Sequence, residues 1–569
     1  MVDVAPWNGG WLNVDEIPRP DIEGDALSRI AFAAVTLLPW WQTAVVYQIY
    51  PRSFADSPLA AWADGGAACE SKYPPKSVAD SNGDGVGDLE GIRRHLDHLA
   101  WLGVNAIWLS PFFRSPMADF GYDVADYCDV DPLFGSLADF DALLADAHAN
   151  GLKVLIDWVP NHSSDRHPWF IESRSSRHNP KRDWYVWHAP APGGGPPNNW
   201  ISAFTDGGSA WTLDEATGQY YLHLFLPQQP DLNWRNPEVV EAMHDTLRFW
   251  LDRGVDGFRM DVVHGIVKRA DLADVKEGFE QMVDESRFDP PAIHEQLRDI
   301  RKLLDSYPDD RVSVGEVYIL STAKVATYYG AGDELHLAFN FPPLYAPWDA
   351  SKWRKRIERV QQELDPRGAW PTWVLSNHDN PRHRTRYGSE ARARAAAVLL
   401  LTLRGTPFLY QGEELGLDDA VVPPDRVVDP GGRDGCRAPI PWTVAPPHGW
   451  QGHEPWLPFP PSPSERSAEA MTADSRSITH LYRELLALRR ASPSLHVGDL
   501  QLLDAPEGVL AYERTTVDGT ETLTVVVNFT TASIPYEHSG RIAASSVVTR
   551  IRGPYDGILT PDEAVVLRP

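Results

Sequence analysis

Cysteine is scarce in this chain of 569 residues: Cys69, Cys128 and Cys436 are all it has, and they stand far apart. Without metal-ligand spacing, three such residues argue against a secreted disulfide framework. Long apolar runs are missing as well. The longest, Ile30–Trp41 "IAFAAVTLLPWW", is broken by Pro39 and is too short to cross a bilayer. Positive charge is in deficit, with 52 Lys and Arg against 79 Asp and Glu and a formal net charge of −27. A surface of that sign argues against nucleic-acid and anionic-membrane partners, which recruit basic patches. It does not oppose a neutral substrate. The N-terminus carries Asp3, Asp15, Glu16 and Asp21 where a secretory leader has its basic segment. No signal peptide is expected, and the cytoplasm is the expected location.

What the chain does have is a composition of 43% hydrophobic and 23% charged residues, enough for a large core. At about 150 residues per domain the length suits two to four domains, or one large barrel with additions. Tryptophan is abundant, at 22. Aromatic faces stack on sugar rings, but most tryptophans simply pack a core.

Eight apolar, β-rich runs recur. They are Ala44–Pro51, Asn105–Phe112, Leu152–Val159, Val255–Val262, Arg311–Tyr318, Glu334–Phe341, Trp370–Asp379 and Gly405–Tyr410. Near-continuous hydrophobic strands belong to parallel sheets buried on both faces. Helical patterns intervene at Leu89–Leu102, Leu137–Asn150, Pro237–Arg253, Ile293–Ser306 and Ser389–Leu403. The expected fold is α/β, a (β/α)8 TIM barrel whose chemistry lies at the C-terminal ends of its strands. Residues 163–234, rich in Pro, Gly, Trp and Asn, are too long for a simple loop after strand 3 and are expected to form an inserted domain. After an amphipathic helix at Ser477–Arg490, short alternating runs predict a C-terminal antiparallel β domain over 494–569. The barrel then spans 39–162 and 235–493, behind an N-terminal extension of 1–38.

Polar residues gather at the strand ends: Asp157 and His162 after strand 3, Arg259 and Asp261 after strand 4, Glu316 after strand 5, His378 and Asp379 after strand 7. Asp123 follows strand 2. A single aspartate at a strand end is most often a cap or an ion pair. Three carboxylates, two histidines and an arginine at one rim are hard to explain that way, because buried charge is costly unless paired. Hydrolysis of a glycosidic bond needs two carboxylates flanking it. Asp261, Glu316 and Asp379 are the candidates, and composition does not say which is which.

The segments "DWVPNH" (Asp157–His162), "GFRMD" (Gly257–Asp261), "GEVY" (Gly315–Tyr318) and "SNHD" (Ser376–Asp379) resemble, in order and spacing, the four conserved segments of glycoside hydrolase family 13, the α-amylase superfamily. "YQIYPRSF", "PDLNW" and "GRDGCRAPIPW" look like its α-glucosidase and oligo-1,6-glucosidase branch. The resemblance implies a retaining double displacement on short oligosaccharides. Asp261 is then the nucleophile, Glu316 the general acid/base and Asp379 the stabiliser of the transition state. Retention implies carboxyls about 5–5.5 Å apart. Arg259 is expected to pair with Asp261 and hold its pKa down. His162 and His378 are expected to donate to sugar hydroxyls. Asp123 and Arg437 match a pair that holds the 4-hydroxyl of the terminal glucose and makes the enzyme exo-acting. Tyr122 and Phe225 are expected against the same sugar, and 163–234 matches the family's domain B.

The stretch Asp80–Glu90 "DSNGDGVGDLE" alternates acidic residues with glycine. It begins like an EF-hand, but position 12 is Gly91 where that motif needs a bidentate Glu. In the resembling branch such a loop holds a structural Ca²⁺, or Mg²⁺, which implies Asp80, Asn82, Asp84, the Val86 carbonyl and Asp88 as ligands. No organic cofactor is implied. Here "ADS" stands both at 55–57 and at 79–81, so residues 57–80 read as an insertion, expected to be an exposed loop. Val262, next after the nucleophile, leans toward α-1,6 bonds by its match to that branch, a selectivity worth only about 1–3 kcal/mol. The partners expected are small oligosaccharides, with the protein a monomer or homodimer. The competing reading within the superfamily is an α-glucosyl transferase, isomerase or phosphorylase resembling trehalose synthase or sucrose phosphorylase, with transglycosylation as its signature. A non-catalytic scaffold is disfavoured by the three retained carboxylates.

Overall fold

The computed structural model describes residues 38–57, 84–204, 208–276, 285–450, 454–550 and 552–569. The expected extension, apart from Leu38, and the expected insertion, apart from Ser57, lie outside the described residues, as do Asp80 and Asn82. No helix among the described residues is long and apolar enough to cross a membrane.

Eight parallel strands form one sheet: β1 Val46–Ile49, β2 Ala106–Leu109, β3 Lys153–Trp158, β4 Gly257–Met260, β5 Val312–Gly315, β6 Leu337–Ala338, β7 Thr372–Val374 and β8 Thr406–Tyr410. Their order is β6-β5-β4-β3-β2-β1-β8-β7. That is sequence order followed around a circle, the arrangement of a barrel. At the β6/β7 seam Thr372 Oγ1 donates to the Ala338 carbonyl at 2.8 Å. The strands are buried along nearly their whole length, which is why they read as continuous apolar runs.

The return helices start where the sequence supplies caps. Ser136 and Asp139 form a capping box at Leu137–Ala149. Asn236, Asp289 and Ser389 cap Pro237–Asp252, Pro290–Asp305 and Glu390–Thr402. Two details depart from the sequence reading. The first helix is interrupted at His95, whose ring Nδ1 bonds the Gly91 carbonyl at 2.7 Å, so Leu89–Leu102 becomes Leu89–Arg94 and Leu96–Leu102. A further helix, Ala350–Leu364, follows β6; its exposed face is so charged that its apolar positions, Trp353, Ile357, Val360 and Leu364, are easily passed over.

Between β3 and the helix at Pro237, a small antiparallel sheet is made by Trp187–His188, Trp211–Asp214 and Gln219–Leu222. Beyond the helix Ile478–Ala491, a five-stranded antiparallel sheet runs from Asp499 to Arg568. Two arginines seal its junction with the barrel. Buried Arg489 donates to the carbonyls of Leu401 and Gly405, and buried Arg514 to those of Thr402 and Gly498.

Candidate active site

The ends of β3, β4, β5 and β7 bring five charged residues to one point. Arg259 is at its centre. Its Nη1 donates to Asp157 Oδ1 at 2.7 Å and to Asp261 Oδ1 at 2.6 Å, while Nη2 meets Glu316 Oε2 at 2.7 Å. Alternation along β4 puts Arg259 and Asp261 on the same face, which makes this shared contact possible. Burial of three carboxylates is tolerable only around such a cation.

Asp261 does have its ion pair, but not the lowered pKa expected from it. Burial and the neighbouring Glu316 and Asp157 carboxyls push its proton affinity well up, and Arg259 only partly offsets them. Asp261 and Glu316 are held by the two terminal nitrogens of the same guanidinium. Asp157 is raised to about 6, again by burial against the pull of Arg259. Asp379 goes the other way. Burial would raise it, but His378, Arg433, Arg437 and Arg259 together hold it well below the usual carboxylate range. The site thus sets carboxyls of raised proton affinity, Asp261 and Asp157, beside Asp379, which stays ionised.

Behind them runs a relay of buried polar groups. The Gln48 amide meets His378 Nδ1 at 2.7 Å, which leaves the imidazole proton on Nε2. That nitrogen lies 2.6 Å from the Tyr122 hydroxyl and 3.2 Å from Asp379 Oδ2. Tyr122 in turn donates to Asp157 Oδ2 at 3.1 Å, beside Trp108 Nε1 at 3.2 Å. Burial pushes His378 down to about 3 and His162 to about 4, so both rings are neutral near pH 7. His162 is held by Asn161 and Gln229, and its ring centroid lies 5.1 Å from that of Phe225.

The expected hydroxyl-holding pair is placed differently. Asp123 is fully buried and its carboxylate is consumed by the chain: it accepts from the N–H groups of Ala118 and Asp119 and from Ser115 Oγ. All three partners belong to its own loop. Asp119 is the aspartate of this loop that reaches the charged cluster. Its Oδ1 meets Arg433 Nη2 at 2.8 Å and its Oδ2 accepts from Gln229 at 3.1 Å. Arg433 also holds Asp379 Oδ1 at 2.8 Å and Asp429 Oδ1 at 2.7 Å, and it lies over the Phe204 ring. Arg437 lies wholly beneath this layer, donating to the His378 carbonyl and reaching Asp379 at 3.1 Å. The sequence reading missed Asp119, Arg433, Asp429 and Tyr122's link to Asp157. Asp119 and Arg433 each stand four residues before the residue named in their place, in the same motif. The side chains that reach solvent are Asp261 (7%), Glu316 (14%), Asp379 (26%) and Arg433 (13%), so these line the opening.

At the first loop, Asp88 caps the helix Leu89–Arg94 by accepting from the Gly91 N–H at 2.6 Å, and its other oxygen accepts from Ser57 Oγ at 2.6 Å. Asp56 lies beside it. One Asp56 oxygen accepts from the Gly85 N–H at 3.0 Å; the other is buried with no hydrogen-bond partner among the described residues. Burial raises Asp56 to about 7 and Asp88 to about 8; repulsion from Asp84 adds to the first and repulsion from Asp56 to the second. Among the described residues neither makes an ion pair, and no three metal-ligating side chains converge. A hard divalent cation suits such oxygens in donor type and charge.

Residues 72–498 match the model of the α-amylase catalytic domain. The chain is 42% identical to a probable α-glucosidase of Rhizobium meliloti, over 84% of this chain and 87% of that protein. It is 38% identical to an oligo-1,6-glucosidase of Parageobacillus thermoglucosidasius, over 86% and 90%. The structure of an α-glucosyl transfer enzyme, XgtA, superposes with a TM-score of 0.81 at 41% identity, covering 93% of this chain and 99% of that one. With the barrel, the strand-end carboxylates and these likenesses in agreement, the chain belongs to the α-amylase family, glycoside hydrolase family 13.

Proposed function

We propose that the protein is a retaining, exo-acting α-glucosidase that releases terminal glucose from short oligosaccharides. The observation that carries this reading is the joint grip of Arg259 on Asp157, Asp261 and Glu316, which gathers the two reacting carboxyls on one guanidinium. Two carboxyls gathered on one guanidinium suit direct attack by one of them, as in a retaining enzyme. Asp261 attacks C1 while Glu316 gives its proton to the leaving oxygen, forming a glucosyl ester. Glu316 then takes a proton from water, whose oxygen displaces Asp261 and leaves α-glucose. Asp379, kept ionised by its cations, stabilises the positive charge that develops on the ring.

The Asp119–Arg433–Asp379–Asp429 network closes one end of the pocket. A pocket closed by ion pairs accepts a chain end and not a chain interior. Tyr122, Phe225, His162 and His378 wall the same sugar. In the first loop, Asp80, Asn82, Asp84, the Val86 carbonyl and Asp88 would hold Ca²⁺, or Mg²⁺, as a structural ion; its charge would relieve the repulsion between Asp56 and Asp88.

A second reading, α-glucosyl transfer, is supported by the likeness to XgtA. The same ester would be intercepted by a sugar or other hydroxyl acceptor. Hydrolysis of maltose, isomaltose, sucrose and trehalose, with the released anomer followed by NMR, tests both. α-Glucose is expected, and the isomaltose-to-maltose ratio reads the lean of Val262. β-Glucose would remove Asp261 as nucleophile. New oligosaccharides in place of glucose would favour transfer.

A further inference from the structure

Val262 follows the nucleophile and has φ +44° and ψ +36°, the left-handed region. A β-branched residue is a rare occupant of that region, because its side chain crowds the backbone. The position is 6% exposed, and a Cβ on Gly265 would lie 3.4 Å from Val262 Cγ1, so the side chain lies over Gly265. In this turn the Val262 carbonyl accepts from the Gly265 N–H at 2.9 Å, and the Val262 N–H donates to Glu316 Oε2 at 3.1 Å. The same oxygen receives Arg259 Nη2 at 2.7 Å. An oxygen that accepts from two N–H donors is the unprotonated one of its carboxyl.

We propose that Val262 is a positioning residue for the general acid/base: its left-handed backbone fixes Glu316 through its own N–H and, with Arg259, assigns the transferable proton to Glu316 Oε1. The residue at this place then influences catalysis through its backbone, and its side chain acts by holding the turn. The inference rests on the reading of Glu316 as the acid.

Protonation matters most when the leaving group is a sugar hydroxyl and least when it is an acidic phenol. The test replaces the Val262 peptide N–H by an ester oxygen, which removes the donor and keeps the side chain. Rates are compared on isomaltose, maltose and 2,4-dinitrophenyl α-glucoside. The expected loss in kcat/KM on the disaccharides is about 10- to 100-fold, the scale of one hydrogen bond to a charged group, and at least tenfold smaller on the dinitrophenyl substrate. Val262→Gly, which frees the turn while relieving the backbone, should show the same split without a lower Tm. Losses equal across the leaving groups, or no loss, would overturn the proposal. Glu316→Gln serves as the control. If it lacks the leaving-group dependence, the acid assignment fails and the inference with it; if it shows the dependence and the ester does not, only the role of Val262 fails.

Discussion

Asp119 and Asp123 share one loop and one residue type, and the structure gives them different work. Asp123 accepts two backbone N–H groups and a serine hydroxyl. Asp119 faces Arg433 and Gln229. Asp119→Ala should therefore lower kcat/KM on terminal glucosides by roughly 10- to 100-fold, beside a stability loss from the Gln229 and Arg433 donors it leaves without Asp119. Asp123→Ala should leave buried donors unpaired and lower stability by about 1–3 kcal/mol. Calorimetry and kinetics on both variants decide the matter: an activity loss confined to Asp123→Ala would return the hydroxyl role to Asp123. At this scale the sequence located the motif but not the member. Which aspartate faces the pocket depends on which one the loop's own N–H groups capture, and a one-dimensional string does not record that.

The strands and capped helices were more legible, because each carries its own signal. Serine, asparagine and aspartate at helix starts, and apolar runs at strands, act over a few residues. Gly257 opens β4 between Leu155 of β3 and Val312 of β5. A Cβ there would lie 2.3 Å from the Val312 carbonyl oxygen and 2.5 Å from Val312 Cγ1. Gly257→Ala should cost about 1–3 kcal/mol by overpacking, read from denaturant midpoints. Because β4 carries Arg259 and Asp261, the strand displacement should reduce kcat as well. A variant as stable as the parent would show that the neighbouring strand yields freely. What the sequence concealed at this scale was the helix Ala350–Leu364, whose apolar stripe is outnumbered by charge, and the break at His95, imposed by a ring-to-carbonyl bond.

Across the whole molecule, buried charge is the sensitive feature. Glu413 lies behind β8, accepting from the Tyr410 N–H and the Tyr482 hydroxyl. Burial raises it to about 8, with repulsion from Glu414 adding. A carboxyl that binds its proton more tightly when folded adds stability in acid, and that stability is lost as pH rises from the unfolded value, near 4.5, through about 8. Glu413→Gln should therefore gain in Tm relative to the parent as pH goes from 6 to 9. Parallel curves of Tm against pH would show that Glu413 does not titrate in this range.

The sequence by itself determined the fold class, the order of the strands and the identity of Asp261, Glu316 and Asp379 as the candidate carboxylates. Those follow from local patterning and from motifs in which each residue's neighbours are its own chain neighbours. Tertiary structure alone decided what surrounds each charge. It gave Arg259 three carboxylates instead of one, raised Asp261 where an ion pair suggested lowering, set Arg433 and Asp119 at the pocket and placed Val262 in a left-handed turn. The physical reason is that burial, like-charge repulsion and donor capture are sums over groups hundreds of residues apart in sequence, and only the closed barrel brings them within reach of one another.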